Sequence, residues 1–109
     1  MMVRTPPQLG SAPTMGERFG LNLWRSRRRA DLSQEGLGNL VGLSRDAIWR
    51  LETGQRLPRF DTIAKLAAGT NVSTCVLLEG LEWRPGHYVD GDFYVEHPGA
   101  ALRRGSARA

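Results

Sequence analysis

Residues 43–54 constrain the fold of this chain most, because they contain signals for both ends of one short helix and place different kinds of residue on its two sides. Ser44 is suited to cap a helix N-terminus, and Gly54 readily takes the left-handed conformation that follows a helix. At about 100° per residue, two sides separate. The first side carries polar and aromatic groups (Arg45, Asp46, Trp49, Arg50, Thr53), and the second carries small apolar groups (Ala47, Ile48, Leu51). The pattern predicts a helix that buries the second side and presents the first.

Two more helices are predicted upstream of this stretch. Thr14 and Glu17 have the spacing of a capping box, which predicts a helix running to about Arg29. Phe19, Leu23 and Ala30 would face inward from it. Ser33 is placed to cap a second helix over residues 34–41, with Leu37 and Val41 inward and Gly42 at its end. Gly38 is a poor helix former and suits a site where two helices cross closely.

Two helices are predicted downstream. The first should cover residues 60–68, with Ile63, Leu66 and Ala67 inward and a break at residues 69–71. Arg59 precedes it and is not a capping residue, so this helix is expected to begin irregularly. Ser73 should cap the second, which is expected to run through Leu78 and to end at Gly80. A domain of five short helices is therefore expected over residues 15–80.

From Leu81 onward, the sequence favours β-strands in place of helices. Asp90-Gly91 lies between β-forming residues within 87–95, which is a strong signal for a β-hairpin, and we assign the hairpin extension to residues 81–97. A lone hairpin is marginal in water, so it must pack on the helices or pair with a second copy. The proline-containing residues 1–14 and the Gly, Ala, Ser and Arg-rich residues 98–109 predict a disordered arm and a disordered basic tail.

The charge is unevenly distributed along the 109 residues, a length that suits a single domain. Residues 1–65 hold eleven basic and six acidic side chains, whereas residues 66–109 hold four and five. This asymmetry indicates a polyanion-facing N-terminal part. One cysteine, Cys75, excludes an internal disulfide and a multi-cysteine zinc site. No apolar run approaches the roughly 20 residues of a membrane span, so we expect a cytoplasmic, nucleoid-associated protein without a membrane partner.

The ordered set of motifs resembles the Cro/phage-repressor type of helix-turn-helix domain, the XRE family, over about residues 16–80. The matching residues are Leu32-Ser33-Gln34-Glu35, Val41-Gly42-Leu43-Ser44-Arg45, Ile48-Trp49-Arg50-Leu51-Glu52-Thr53-Gly54, Pro58, Thr62-Ile63-Ala64-Lys65-Leu66-Ala67 and Asn71-Val72-Ser73. The resemblance implies an all-α, five-helix, lambda-repressor-like domain, here with a short C-terminal β-hairpin extension. It also implies a transcriptional regulator, expected to be a repressor, that binds a palindromic operator in double-stranded DNA as a homodimer.

The resemblance also implies roles for individual residues. Arg45, Asp46, Trp49 and Arg50 match base-facing positions, and the two arginines are expected to read guanine. Asp46 would either accept from a cytosine amino group or orient Arg45. Trp49 would either touch a thymine methyl or sugar, or pack near Trp24. Backbone contacts are implied for Gln34, Ser44, Arg56 and Arg59.

Arg27 and Glu52 match a family ion pair that clamps the first helix to the recognition helix; the alternative for Arg27 is a phosphate contact. The chain departs from the family pattern at Ser26, where an apolar residue is usual, and at Gly38, where alanine is usual. Cys75 and Val76 replace an acidic pair in the fifth helix, which leaves an apolar surface that could serve as a dimer contact.

Catalysis is not expected, since His87 and His97 both lie in the C-terminal segment and no serine or cysteine has nucleophile spacing to them. No cofactor is implied. A metal site from Cys75, His87 and His97 and a redox switch at Cys75, near the start of the fifth helix, are minor alternatives; otherwise Cys75 is simply a small apolar residue. The rival hypothesis is a protein-interaction module, such as an antitoxin or accessory regulator, that binds a partner through residues 79–96. DNA binding would differ by weakening steeply with salt.

Overall fold

A computed structural model describes residues 6–7, 9, 12–86 and 91–97 of the chain. Within them, five helices are followed by one two-stranded sheet. The elements are α1 (Met15–Arg29), α2 (Gln34–Val41), α3 (Arg45–Glu52), α4 (Phe60–Thr70), α5 (Thr74–Leu77), β1 (Leu81–Arg84) and β2 (Asp92–Val95). None of the described helices is long and apolar enough to cross a membrane.

The first three helices begin at the capping residues that the sequence predicts. Thr14 and Glu17 form a complete capping box, with the Glu17 amide 3.1 Å from Thr14 Oγ1 and the Thr14 amide 2.9 Å from Glu17 Oε1. The hydroxyls of Ser33 and Ser44 accept from the third residue after each of them. At the other end of α2, Gly42 takes the left-handed conformation with φ 76°. These ends are local interactions, which is why the sequence predicts them.

The last two helices differ from prediction at their ends. α4 continues through Gly69 and Thr70, which were expected to break it, because Asn71 is the residue that takes the left-handed conformation, with φ 59°. α5 ends at Leu77, and Ser73 makes no side-chain capping hydrogen bond to it. Arg59 likewise leaves α4 without a side-chain cap, as predicted.

The core forms where all five helices meet. Its buried apolar residues are Phe19, Leu23, Leu37, Ile48, Leu51, Leu66, Ala67 and Leu77. Burying a side chain of the Leu, Ile or Phe size contributes about 1.5–3 kcal/mol to the free energy of folding. The burial of this cluster is therefore a main favourable term in folding. Most residues predicted to face inward belong to it, while Val41 and Ile63 are half-buried against it, and Ala30 is half-buried at the end of α1.

Two helical glycines allow backbones to approach closely. A Cβ on Gly38 would run into the carbonyl oxygen of Leu43, in the turn between α2 and α3. The prediction of a close approach is therefore right, but the neighbour is this turn and not a second helix. A Cβ on Gly20 would run into the carbonyl oxygen of Glu52, so α1 packs directly on the end of α3.

The hairpin pairs β1 with β2 in antiparallel register, from Leu81 opposite Val95 to Arg84 opposite Asp92. The sequence placed the first strand immediately before Asp90-Gly91, and residues 87–90 lie outside the described part of the chain. The strand that pairs with β2 begins earlier, so residues 85–91 connect the two strands in place of a two-residue Asp-Gly turn.

The hairpin packs on α1 through buried polar contacts. Arg18 is buried, and its guanidinium donates to the carbonyl oxygen of Glu96 at 2.7 Å and to that of Glu79 at 3.2 Å. Asn22, one turn later on α1, donates to the carbonyl oxygens of Leu77 and Glu79 at 2.9 and 2.8 Å. Of the two expectations for the hairpin, the structure shows packing on the helices.

Candidate nucleic-acid interface

The outer side of α3 presents every side chain that the sequence assigned to base contact. Arg45, Asp46, Trp49 and Arg50 are exposed, whereas Ala47, Ile48, Leu51 and Glu52 are buried. Trp49 keeps 36% of its surface exposed. The burial pattern confirms the two-sided helix expected from the rotation per residue. A short helix of this kind has the dimensions to enter the major groove of B-DNA.

Asp46 is joined to Arg50, one helical turn later. Arg50 Nε donates to Asp46 Oδ2 at 2.8 Å, and both side chains are more than half exposed. The sequence predicts that Asp46 orients Arg45 or accepts from a cytosine amino group. The structure pairs Asp46 with Arg50 in place of Arg45, and the cytosine contact stays a prediction. Residues four apart on a helix are neighbours, whereas adjacent residues are not. An exposed pair of this type stabilises by about 0.3–0.5 kcal/mol, so a nucleic acid can readily replace it.

The sequence leaves two roles open for Trp49, contact with a thymine methyl or sugar and packing near Trp24. The Trp24 ring lies under the guanidinium of Arg28, whose Cζ is 5.3 Å from the ring centroid. Trp49 lies on the exposed side of α3 with Arg45 and Arg50. With 36% of its surface exposed, Trp49 is open to either role, and both roles stay predictions.

Arg27 on α1 and Glu52, the last residue of α3, form a buried, bidentate ion pair. Nε and Nη2 of Arg27 lie 2.5 and 3.1 Å from the two carboxylate oxygens of Glu52. The two side chains are 5% and 2% exposed, so Arg27 is not available to a phosphate. Arg27 Nη1 also donates to the carbonyl oxygen of Leu32 at 2.8 Å. The pair ties α1 to α3 and to the connection before α2.

Gln34, the first residue of α2, joins this buried pair. Its Nε2 donates to Glu52 Oε1 at 3.0 Å, and the side chain is half-buried. It was expected to contact a DNA phosphate and to brace recognition side chains. One N–H group of the Gln34 amide donates to the buried carboxylate. The second N–H group remains to donate to a phosphate.

The other residues assigned to backbone contact are exposed. Ser44 accepts the Ala47 amide at 3.0 Å, and its own hydroxyl hydrogen can still be donated. Arg56 lies in the loop after α3. Arg59 is exposed just before α4, with Nε 3.5 Å from Asp61 Oδ1. Exposed hydrogen-bond donors therefore precede α3 in the chain, at Ser44, and follow it, at Arg56 and Arg59.

Arg18 and Asn22 were missed as structural residues by the sequence analysis. Their partners are carbonyl groups 55 to 78 residues away, so nothing in the local pattern could identify them. Cys75 is exposed. In the part of the chain that the structure describes, no group of three His, Cys, Asp or Glu side chains could hold a metal ion, and His87 lies outside that part.

The fold is shared with known proteins. A family model described as a helix-turn-helix domain matches residues 18–79. The restriction-modification controller protein C.AhdI from Aeromonas hydrophila is 35% identical, with TM-score 0.55, over 57% of this chain and 94% of its own. The P22 c2 repressor, solved in complex with a synthetic operator, is 27% identical, with TM-score 0.54, over 57% and 94%.

The hypothetical transcription factor NHTF from Neisseria is 25% identical, with TM-score 0.62, over 69% of this chain and 86% of its own. No curated protein sequence matches the chain. The family model covers more than half of the 109 residues, and the similar structures include phage-repressor and controller proteins. The chain therefore belongs to the helix-turn-helix domain family, in its Cro/phage-repressor-like form.

Proposed function

We propose that this protein is a sequence-specific DNA-binding transcriptional regulator that inserts α3 into the major groove of its operator. One observation carries the proposal: four hydrogen-bonding or aromatic side chains are exposed on one side of α3, while the other side is held by the core and the Arg27–Glu52 pair. A rigid support of this kind places reading groups accurately. The similar P22 c2 repressor was solved with a synthetic operator, and a repressor role is the one we assign here.

The side chains divide into readers and positioners. Arg45 and Arg50 would each donate to guanine, contributing about 1–3 kcal/mol of discrimination. Asp46 and Trp49 share that face. Ser44, Arg56, Arg59 and the outward side of Gln34 would hold phosphates, which set the orientation of the domain without reading sequence.

We assign the operator a palindromic form, bound by a homodimer with half-sites about one helical turn apart. The dimer contact would use α5 and the hairpin. Leu78, Trp83 and Phe93 are exposed there, and the rings of Trp83 and Phe93 pack edge to face with centroids 5.0 Å apart. Because Arg18 holds the hairpin on α1, a contact through the hairpin would also set the distance between the two copies of α3.

The test is selection from a random duplex library with full-length wild-type protein and with Arg45→Ala, Arg50→Ala and Arg56→Ala. We expect wild type to enrich a palindrome, and the α3 variants to lose preference at individual positions in each half-site. Arg56→Ala should weaken all sequences alike. Arg25→Ala, an exposed arginine on α1, is the matched control. Equal effects of all variants on every sequence would contradict the division into readers and positioners.

The dimer is tested in the same selection with the double variant Trp83→Ser and Phe93→Ser. Truncation after Gly80 is a poorer test, because it removes the carbonyl of Glu96 from buried Arg18. We expect the double variant to enrich a single half-site in place of the palindrome. If it still enriches the palindrome, the hairpin is not the dimer contact. If wild type enriches nothing, the DNA-binding proposal is wrong.

The exposed Trp83–Phe93 pair also favours a second candidate function, a protein-interaction module such as an antitoxin or accessory regulator that binds through residues 79–96. The two functions differ in their response to salt. Binding to DNA releases counterions and falls steeply as salt is added, whereas contact through an apolar pair does not. A partner that binds equally at low and high salt and is lost in the Trp83/Phe93 double variant would support this candidate.

A further inference from the structure

Phe60 is the most exposed large apolar residue of the described chain, at 91%, and it is the first residue of α4. Its position lies on the same side of the helix as Ile63 and Ala67, one and two turns later. Farther along α4, Ile63 and Ala67 pack in or against the core, whereas Phe60 in the first turn of α4 is exposed to solvent. Leu57, three residues earlier, is also exposed, at 58%. We call Leu57 and Phe60 the loop–α4 apolar pair.

The loop–α4 apolar pair follows directly on the proposed reading helix. The Gln55 amide donates to the carbonyl oxygen of Arg50 at 2.9 Å, so the loop begins against the last turn of α3. An exposed cation directly precedes each member of the pair, Arg56 before Leu57 and Arg59 before Phe60. The one nearby acid is Asp61, whose 3.5 Å pairing with Arg59 is solvent-exposed and therefore weak.

We propose that Leu57 and Phe60 pack on the deoxyribose of the operator backbone, beside the phosphates held by Arg56 and Arg59. The inference rests on the DNA-binding function proposed above and adds an apolar contact to it. Charge complementarity selects DNA as the occupant, because an exposed arginine directly precedes each of the two apolar residues in the chain and can hold a phosphate next to the sugar that the apolar side chain contacts. A deoxyribose presents C–H groups between its two phosphates, so it can bury an apolar side chain without leaving a polar group unpaired.

An apolar contact can be distinguished from a phosphate contact by its salt dependence. Each cation that neutralises a phosphate releases counterions and steepens the dependence of affinity on salt, whereas an apolar side chain releases none. Loss of Phe60 should therefore lower the affinity by the same factor at every salt concentration. Loss of Arg59 should instead reduce the slope of log K against log salt by about 1.

The experiment measures Kd for the operator enriched by selection, over a salt series, with full-length wild type, Phe60→Ala, Leu57→Ala and Arg59→Ala. Leu40→Ala is the matched control, because Leu40 is also an exposed leucine but lies on α2. We expect Phe60→Ala to weaken binding about tenfold, which corresponds to about 1.4 kcal/mol, with the wild-type slope. Thermal unfolding should be unchanged in Phe60→Ala, since this side chain is almost fully exposed.

The outcomes separate this inference from the function on which it rests. If wild type binds its operator and Phe60→Ala binds equally well, the inference is overturned and the proposed function stands. If Phe60→Ala shifts the monomer–dimer equilibrium in sedimentation without DNA, the pair is a contact with a second copy and the inference is also overturned. If wild type binds neither a selected operator nor mixed-sequence duplex at low salt, the proposed function itself fails.

Discussion

The buried Arg27–Glu52 pair gives a prediction whose sign depends on the structure. Consider Glu52→Leu, Arg27→Met and the double variant. In either single variant, one charge remains in a site where the two side chains are 5% and 2% exposed. Arg27 would keep only its bond to Leu32, and Glu52 only its bond to Gln34. A buried charge that loses its partner costs about 3–5 kcal/mol.

The double variant should cost less than either single variant. Replacing both charges with apolar side chains of similar length removes the desolvation cost together with the attraction, and such replacements are often near neutral. Leu32 and Gln34 are half-buried, so water can replace the bonds that they lose. We expect the double variant to lie within about 2 kcal/mol of wild type, which implies a coupling free energy of roughly 4 kcal/mol or more. A domain of this size is stabilised by only about 5–15 kcal/mol.

The measurement is denaturant-induced unfolding of the four proteins, with the slope m checked for constancy. The exposed Asp46–Arg50 pair on the same helix is the matched control, and its double-mutant cycle should give about 0.5 kcal/mol or less. The reasoning would be refuted if the two substitutions at Arg27 and Glu52 were additive, because additivity means that neither charge depends on the other.

Two further predictions use the same unfolding assay. Ser26 is buried on α1, and its hydroxyl has no hydrogen-bond partner among the described residues. Ser26→Ala should therefore stabilise the protein by about 1 kcal/mol, and a loss of stability would show that the hydroxyl is satisfied. Ser44→Ala should destabilise by about 1 kcal/mol, because Ser44 caps α3, whereas Ser73→Ala should be close to neutral, because Ser73 makes no side-chain cap. Equal losses at both serines would contradict the assignment of caps.

How far the candidate site could be predicted depends on whether its geometry is local. Which residues of α3 face outward follows from the rotation of the helix, so Arg45, Asp46, Trp49 and Arg50 could be placed correctly without coordinates. The partner of Asp46 is local as well, because Arg50 lies four residues later on the same helix, so the spacing rule identifies this pair although the sequence prediction chose Arg45. The family resemblance implies a DNA backbone contact for Gln34, and it does not show that the buried Glu52 carboxylate takes one of the two N–H donors of this side chain.

The sequence by itself determined where the first three helices begin and end and which sides of the helices enter the core. Those features depend on contacts within four or five residues, such as the Thr14–Glu17 capping box and the left-handed Gly42. Only the tertiary structure decided which strand pairs with β2, how Arg18 and Asn22 hold the hairpin on α1, and that Phe60 extends past the bundle. These depend on groups far apart in the chain, which meet only after the core has set their positions.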